Sequence, residues 1–136
     1  MTPFKLKIVT PDGLEFEGKV EQLIVRTTSG DMGIMAGHVN TVAPLGMGEA
    51  TVTIHGEKRY AACIGGMVSV INGTVTLVPT TFEWAEDIDV TRAKRSEDRA
   101  QTVLKDKASS ETDIRIAQAR LRRALVRESA ASHITK

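Results

Sequence analysis

The chain has 136 residues, 41% hydrophobic and 26% charged, which is room for one modest core and an appendage. A formal net charge of +1 provides no general attraction to nucleic acid or to an acidic membrane. The single cysteine, Cys63, excludes an internal disulfide, and its apolar neighbours predict a buried thiol. No signal peptide is evident and every apolar run is too short to span a membrane, so we expect a cytoplasmic protein that can still dock on a membrane complex.

Up to about Trp84 the hydrophobic pattern has the period of β-strands. Phe4, Leu6 and Ile8 alternate with lysines, as in a half-buried strand. Turn signals follow at Pro11-Asp12-Gly13, His55-Gly56 and Asn72-Gly73, the last between two β-branched runs. Many short strands with glycine turns favour an antiparallel sandwich or barrel over residues 1–84.

After Trp84 the composition becomes that of helices. No glycine lies beyond Gly73, and the chain from about residue 87 is rich in Ala, Arg, Glu, Asp and Lys. Ser110 and Asp113 form a capping-box pattern. We predict two helices, at about 88–107 and 111–131, in a second region of residues 85–136.

The predicted helices share only a small apolar seam. The second helix has one stripe of Ile114, Ala117, Leu121, Ala124 and Leu125. The first has Val90, Ala93, Ala100 and Leu104, interrupted by Glu97. Such an alanine-rich seam buries little area, so the hairpin is expected to be weakly held and able to open.

Charge is concentrated in the final helix, because residues 111–136 carry six basic and three acidic groups. The arginines off its apolar stripe are Arg115, Arg120, Arg122, Arg123 and Arg127. They form either an ordinary solvated face or a contact with an acidic partner.

Motifs of catalysis are weak. Gly13–Lys19 fits the first seven positions of a phosphate-binding loop, but Val20 replaces the required Ser or Thr, and a strand is favoured. The three histidines, His38, His55 and His133, lack ligand-type spacing, so no metal site is expected. Without a credible nucleophile or acid–base pair, the sequence predicts a protein that binds partners and is not an enzyme.

The start of the first predicted helix has two interpretations. Arg92, Arg95 and Arg99 form a cationic row, and Asp89 precedes Arg92 by three positions. This is either a surface ion-pair ladder or an anion site, with arginine for phosphate and Asp89 for a ribose or amine donor. The residues alone favour the ladder.

Three motifs in this order resemble the epsilon subunit of bacterial F-type rotary ATP synthases, over essentially the whole chain. Gly30–His38 is similar to that family's G-E-x-G-I-L-P-G-H loop, with Asp31 in place of Glu and Met35-Ala36 in place of Leu-Pro. Gly65–Val70 is similar to its G-G-x-x-x-V strand, and Ile88–Ala93 matches its I/L-D-x-x-R-A nucleotide motif.

The resemblance implies an α+β fold, with a β-sandwich of about ten strands followed by a two-helix hairpin. It implies a non-catalytic, peripheral subunit on the cytoplasmic face of the bacterial membrane, which couples proton or sodium flow to rotation. The implied partners are the gamma subunit, the c-ring and the catalytic beta (and alpha) subunits. The implied subunit-interface residues are Gly30, Asp31, Gly33, Ile34, Gly37 and His38.

For the hairpin, the resemblance implies a regulatory switch. ATP as a regulatory ligand would bind the folded form through Glu83, Ile88, Asp89, Arg92, Ala93, Arg99, Arg122 and Arg123. When extended, the hairpin would block ATP hydrolysis by presenting Arg115, Arg120, Arg122, Arg123 and Arg127 to acidic segments of the beta subunits. The alternative is a stand-alone ATP-binding sensor without synthase assembly.

Overall fold

The computed structural model describes residues 1–134, in which ten strands are followed by two helices. The strands are β1 Phe4–Thr10, β2 Gly13–Val20, β3 Gln22–Thr27, β4 Gly30–Ile34, β5 Thr41–Pro44, β6 Met47–Ile54, β7 Glu57–Ile64, β8 Met67–Ile71, β9 Thr74–Val78 and β10 Thr81–Trp84. They form two five-stranded sheets, in the orders β2-β1-β9-β8-β5 and β10-β7-β6-β3-β4. The predicted fold class is confirmed. The division at residue 84/85 stays a prediction, and the last two residues of its second region, 135 and 136, lie outside the described residues.

One strand pair differs from the antiparallel expectation, because β1 and β9 run parallel, with Leu6 opposite Val75. The other pairs are antiparallel, and most join neighbours in the sequence. Parallel neighbours need a long crossover and carry no local turn signal. The pairing of β1 with β9 therefore depends on the whole sandwich.

The predicted turns are confirmed by backbone geometry. Asn72 and Gly73 have φ angles of 49° and 84°, and His55 and Gly56 have 51° and 77°. Two consecutive left-handed residues define the tight turns that suit the twist of β-hairpins. The phosphate-loop pattern from Gly13 is strand β2, paired along its length with β1, as the alternation predicts.

The core lies between the two sheets and is mainly aliphatic. Its fully buried members include Leu6, Ile8, Leu23, Ile34, Val52 and Leu77. The alternation of β1 places Phe4, Leu6 and Ile8 inward, as predicted. The Cys63 thiol is also buried, which confirms the prediction, and burial raises its pKa to about 12.

The helical region begins with a one-turn 3-10 helix, Ala85–Asp87, followed by α1 Val90–Lys105 and α2 Glu111–Ser132. Asp89 caps α1 by accepting a hydrogen bond from the backbone N–H of Arg92 at 3.0 Å. Ser110 and Asp113 form the predicted capping box of α2. Both helices are therefore confirmed within about two residues at each end.

The seam between the helices is narrower than predicted. Its buried members are the small residues Ala93, Ala100, Ala117 and Ala124. Two residues assigned to the stripes are exposed, Val90 by 39% and Leu125 by 47%. Because alanines bring two helices close over a thin strip, residues at the margin of that strip stay in solvent. The expectation of a small buried seam is thereby strengthened.

Candidate functional site

A cleft of about 630 Å³ separates the sandwich from the hairpin, within the usual size range of small-molecule sites. From the sandwich it is lined by Thr10, Asp12, Thr80, Thr81, Phe82 and Glu83. From the helical region it is lined by Asp87, Asp89, Arg92, Ala93, Ser96, Arg120, Arg123 and Arg127. Four guanidinium groups thus share one polar cleft.

Helical spacing places these arginines together. On α2, Arg120, Arg123 and Arg127 follow one another by three and four positions and therefore share a face. The antiparallel return of the chain brings that face opposite Arg92, in the first turn of α1. Arg92, Arg120 and Arg123 have no ion-pair partner within residues 1–134. Unpaired guanidinium groups in a cleft favour an anionic ligand.

The fourth arginine spans the cleft. Arg127 Nε lies 2.5 Å from Glu83 Oε1, which joins α2 to strand β10. The two side chains are only 28% and 32% exposed. In the folded hairpin the predicted nucleotide contact Glu83 and the predicted inhibitory contact Arg127 therefore satisfy each other. Any ligand or partner of either residue has to compete with this pair.

Five of the eight predicted nucleotide residues line the cleft. They are Glu83, Asp89, Arg92, Ala93 and Arg123. The anion-site interpretation gains from this convergence, whereas the ion-pair ladder is wrong in one respect. Asp89 binds the backbone N–H of Arg92, and no Asp89–Arg92 ion pair exists among the described residues.

The other three predicted nucleotide residues lie elsewhere. Ile88 is buried against Ala62, Ala130 and Ala131, so its side chain fixes the linker, residues 85–89 between β10 and α1, and does not line the cleft. Arg99 lines a separate groove near the hairpin tip. Arg122 is exposed and does not line the cleft. Successive residues of a helix point about 100° apart, and Arg123 is the one that faces the cleft.

Two parts of the cleft wall were not predicted. Thr10 ends β1 and Asp12 lies in the turn after it, whereas Thr80 precedes β10 and Thr81 begins it. They lie about seventy residues apart in the sequence and carry no shared motif. The polar turn at Pro11-Asp12-Gly13 was the only sequence signal, and it indicated a turn and not a site.

The end of α2 is held on the sandwich by polar contacts that the sequence did not indicate. The Ser129 hydroxyl donates to Glu49 Oε1 at 2.5 Å, and His133 Nε2 lies 3.2 Å from Glu49 Oε2. The His133 ring also stacks on Tyr60, with centroids 3.7 Å apart and planes 9° apart. These contacts add to the small apolar cluster around Ile88. We call the group of Glu49, Tyr60, Ser129 and His133 the docking cluster.

The linker is also anchored. The Arg59 guanidinium lies 3.7 Å over the Trp84 ring and pairs with Glu86 at 2.5 Å. Burial opposes ionisation of Glu86, but a backbone hydrogen bond and Arg59 outweigh it, so the pKa of Glu86 is lowered. Arg59 of strand β7 thus contacts both Trp84, at the end of β10, and Glu86, in the linker.

The predicted subunit-interface loop lies at the edge of one sheet. Gly30, Asp31 and Gly33 belong to edge strand β4, where Asp31 pairs with Arg26 at 2.9 Å. Gly37 (φ 84°) and the half-buried His38 follow in the loop. Ile34, the last residue of β4, is fully buried in the core, so its side chain is not exposed at this edge.

The fold and the cleft define a two-part class of protein, in which a β-sandwich carries a helical hairpin and four arginines line the cleft between them. The family model described as "ATP synthase, Delta/Epsilon chain, beta-sandwich domain" matches residues 3–85. The model described as "ATP synthase, Delta/Epsilon chain, long alpha-helix domain" matches residues 86–132. The chain belongs to the epsilon-chain family of F-type ATP synthases, as the sequence motifs predict.

Individual relatives agree with this family. The chain is 41% identical to an ATP synthase epsilon chain of Ruminococcus albus, covering 97% of this chain and 98% of the relative. It is 42% identical to that of Bacillus subtilis, covering 85% and 86%. The fold is similar to a chain of the Euglena gracilis mitochondrial ATP synthase, with a TM-score of 0.83 and 24% identity over 96% of this chain and 82% of that one. A Tetrahymena thermophila mitochondrial ATP synthase chain gives a TM-score of 0.61, with 14% identity over 93% and 95%.

Within residues 1–134 there is no helix that is both long and apolar enough to cross a lipid bilayer.

Proposed function

We propose that this chain is a non-catalytic central-stalk subunit of an F-type ATP synthase, where it couples ion flow to rotation. Its proposed location is the cytoplasmic face of the bacterial membrane, and its proposed partners are the gamma subunit, the c-ring and the catalytic alpha and beta subunits. Family membership over both halves of the chain supports this. The two similar structures are of ATP synthase assemblies that include the c-ring.

The sandwich is the part proposed to attach to the stalk. Edge strand β4 and the loop after it present Gly30, Asp31, Gly33, Gly37 and His38 at one margin of the fold. Apolar side chains in the same loop, Met35 and Val39, are exposed. An exposed loop with apolar side chains next to a sheet edge suits a protein interface.

The hairpin is the part proposed to regulate the complex, with ATP as its ligand. The observation that carries this is the convergence of Arg92, Arg120, Arg123 and Arg127, which come from two helices and meet only when the hairpin is folded. A ligand that binds only the folded form stabilises it by mass action. ATP in the cleft, with its phosphates on the unpaired guanidinium groups, would therefore shift the hairpin toward the folded state.

The opened hairpin is the proposed inhibitor of ATP hydrolysis. Residues 87–134 as one continuous helix would reach on the order of 70 Å, at about 1.5 Å per residue. Arg115, Arg120, Arg122, Arg123 and Arg127 would then be free to contact acidic segments of the beta subunits. Arg127 would first lose Glu83, so the folded and inhibitory states compete for the same arginines.

Calorimetric titration of the full chain with ATP tests the ligand. We expect Arg92→Ala and Arg123→Ala each to weaken binding by about tenfold or more, because each removes a hydrogen-bonding charge. Arg115→Ala, an exposed arginine outside the cleft lining, is the matched control and should bind as the wild type does. Absence of binding heat at millimolar ATP in the wild type would reject the nucleotide site.

Arg122→Ala separates the motif-based expectation from the geometry. The family resemblance includes Arg122 among the nucleotide residues, whereas the folded hairpin leaves it outside the cleft lining. We expect ATP affinity within about twofold of the wild type. A loss as large as that of Arg123→Ala would show that the bound hairpin has a different geometry.

Assembly and inhibition are tested on the intact complex. Co-purification with the gamma subunit and the catalytic subunits is expected, and an unassociated monomer in native lysate would support the stand-alone sensor instead. Deletion of the chain after Trp84 in the assembled complex should raise ATP hydrolysis, most strongly at low ATP. Unchanged hydrolysis at every ATP concentration would reject the hairpin as the inhibitor.

A further inference from the structure

Two carboxyl groups face each other across the hairpin seam. Glu97 lies on α1 between the buried Ala93 and Ala100, and Glu128 lies on α2 one turn after the buried Ala124. Oε2 of each is buried, and within residues 1–134 neither Oε2 has a hydrogen-bond donor. Leaving a buried carboxylate oxygen without a donor is costly. A single proton held between the two groups would satisfy both oxygens at once.

The surroundings of this pair contain little to offset its negative charge. On α1 the charged neighbours of Glu128 are Glu97, Lys94 and Asp98. Burial, the Glu97 carboxyl and Asp98 raise the pKa of Glu128, and Lys94 alone acts in the opposite direction. The contact therefore favours the protonated form of Glu128.

Four donor groups on α2 and β7 do not supply a partner, because other carboxylates already engage them. Glu49 of β6 is bound by Ser129 and His133. Glu83 of β10 is paired with Arg127, and Glu86 of the 3-10 helix is paired with Arg59. Within the described residues, Lys94 is thus the one cation that lowers the pKa of Glu128, and the rest of the seam is lined by alanines.

We propose that Glu97 and Glu128 act as a proton-operated latch of the hairpin. One shared proton holds α1 and α2 together through a carboxyl–carboxylate hydrogen bond. When that proton leaves to solvent, the same contact becomes a repulsion between two carboxylates, and the hairpin opens more readily.

The direction of the pH effect follows from linkage. In the open hairpin Glu128 is an exposed glutamate with the ordinary pKa of 4.5, and in the closed hairpin its pKa is higher. The latch therefore has its full effect below pH 4.5 and loses it as pH rises toward the raised value. Over that window the ratio of open to closed hairpin should rise by up to about tenfold per pH unit.

This latch does not depend on the proposed nucleotide site. Neither Glu97 nor Glu128 lines the arginine cleft, and the proton acts on the seam without ATP. A failure of the latch would leave the ATP titration unaffected, and a failure of ATP binding would leave the latch intact. The two proposals can be rejected separately.

Amide hydrogen exchange of the full chain by NMR, without nucleotide, tests the latch. Protection of α2, corrected for intrinsic exchange rates, should fall as pH rises above 4.5, while the sandwich stays protected. Glu128→Gln replaces the titrating group with a neutral amide that can donate to Glu97, so its α2 protection should be nearly independent of pH. Glu57→Gln makes the same change at an exposed turn and should keep the wild-type dependence.

Glu97→Lys should reverse the pH dependence of α2 protection, a result that loss of folding would not produce. A lysine facing Glu128 lowers the pKa of Glu128, so the closed form should gain protection as pH rises from the lowered value to about 4.5 and should keep it above that pH. Wild-type protection that is flat with pH would overturn the latch. The same would follow if Glu128→Gln kept the wild-type slope, or if Glu97→Lys lost protection with rising pH.

Discussion

The sandwich and the hairpin are held together by different kinds of contact. The sandwich buries large aliphatic side chains such as Leu6, Ile8 and Leu77, each worth about 1.5–3 kcal/mol on transfer from water. The hairpin seam buries alanines, which offer one methyl group each, together with the Glu97–Glu128 contact. One chain thus combines a body with a large aliphatic core and an arm held by a small seam. That division suits the proposed function, in which the body is fixed and the arm changes state.

The largest expected effect is in the sandwich core. Leu77→Ala should lower the free energy of unfolding by about 2–5 kcal/mol, because Leu77 is fully buried and its removal leaves a cavity. Val78→Ala, the next residue on β9, is 45% exposed and should change it by less than about 0.5 kcal/mol. Urea unfolding measures both. Equal effects would contradict the assigned inward and outward faces of β9.

The next effect concerns the docking of α2. His133→Ala removes the stack on Tyr60 and the contact with Glu49, which should weaken docking by about 0.5–1.5 kcal/mol. Amide exchange should accelerate in the last turns of α2, while the sandwich core keeps its protection. Ile134→Ala, an exposed neighbour, serves as control. Loss of protection in both regions together would mean that the hairpin and the sandwich unfold as one unit.

Acid should weaken the contacts of the linker, whereas it should strengthen the Glu97–Glu128 contact in the seam. The pKa of Glu86 is lowered in the folded chain, so its pairing with Arg59 stabilises docking above the ordinary pKa of 4.5 and is lost as pH falls through the lowered value. Fluorescence of Trp84, the single tryptophan, should report this change because Arg59 lies on its ring. Arg59→Ala should remove the acid response.

Lys58→Ala is the matched control for the linker, since Lys58 is the exposed neighbour of Arg59 on β7. Its fluorescence profile should follow the wild type. An acid response that persists in Arg59→Ala would assign it to another carboxylate near Trp84.

The smallest expected effect is at Cys63. Its thiol is buried and its pKa is raised to about 12, so the reactive thiolate is scarce at pH 8. A thiol reagent at pH 8 should leave the native chain unlabelled and label it fully in denaturant. Cys63 is buried in the core between the two sheets and is not covered by the hairpin. Deletion after Trp84 should therefore leave its thiol protected. Rapid labelling of the truncated chain would show that the hairpin contributes to the integrity of the body.

Much of the architecture was predictable because its signals are local. The alternation of Phe4, Leu6 and Ile8 and the Asn72-Gly73 turn each depend on neighbouring residues, and both are confirmed. The parallel pairing of β1 with β9 and the docking of His133 on Tyr60 were not predictable. Each joins residues about seventy positions apart, and no local pattern marks the partner.

The candidate site divides in the same way. The motif Ile88–Ala93 indicated where on the chain an anion site could begin, and helix periodicity grouped the arginines of α2. Helix periodicity did not show that Arg123 lies in the cleft and Arg122 in solvent, because that difference depends on how α2 is rotated against the sandwich. It also did not show that Arg127 is engaged by Glu83.

The sequence by itself determined the β-body, the two helices with the capping box of α2, the alanine seam and the family, since composition, periodicity and turn chemistry act over a few residues. Only the tertiary structure decided which arginines converge, how the docking cluster holds α2, and that Glu97 and Glu128 meet. Those contacts depend on the relative placement of whole elements, to which every packed side chain contributes. The glutamate that interrupts the seam in the sequence is, in three dimensions, half of a paired contact.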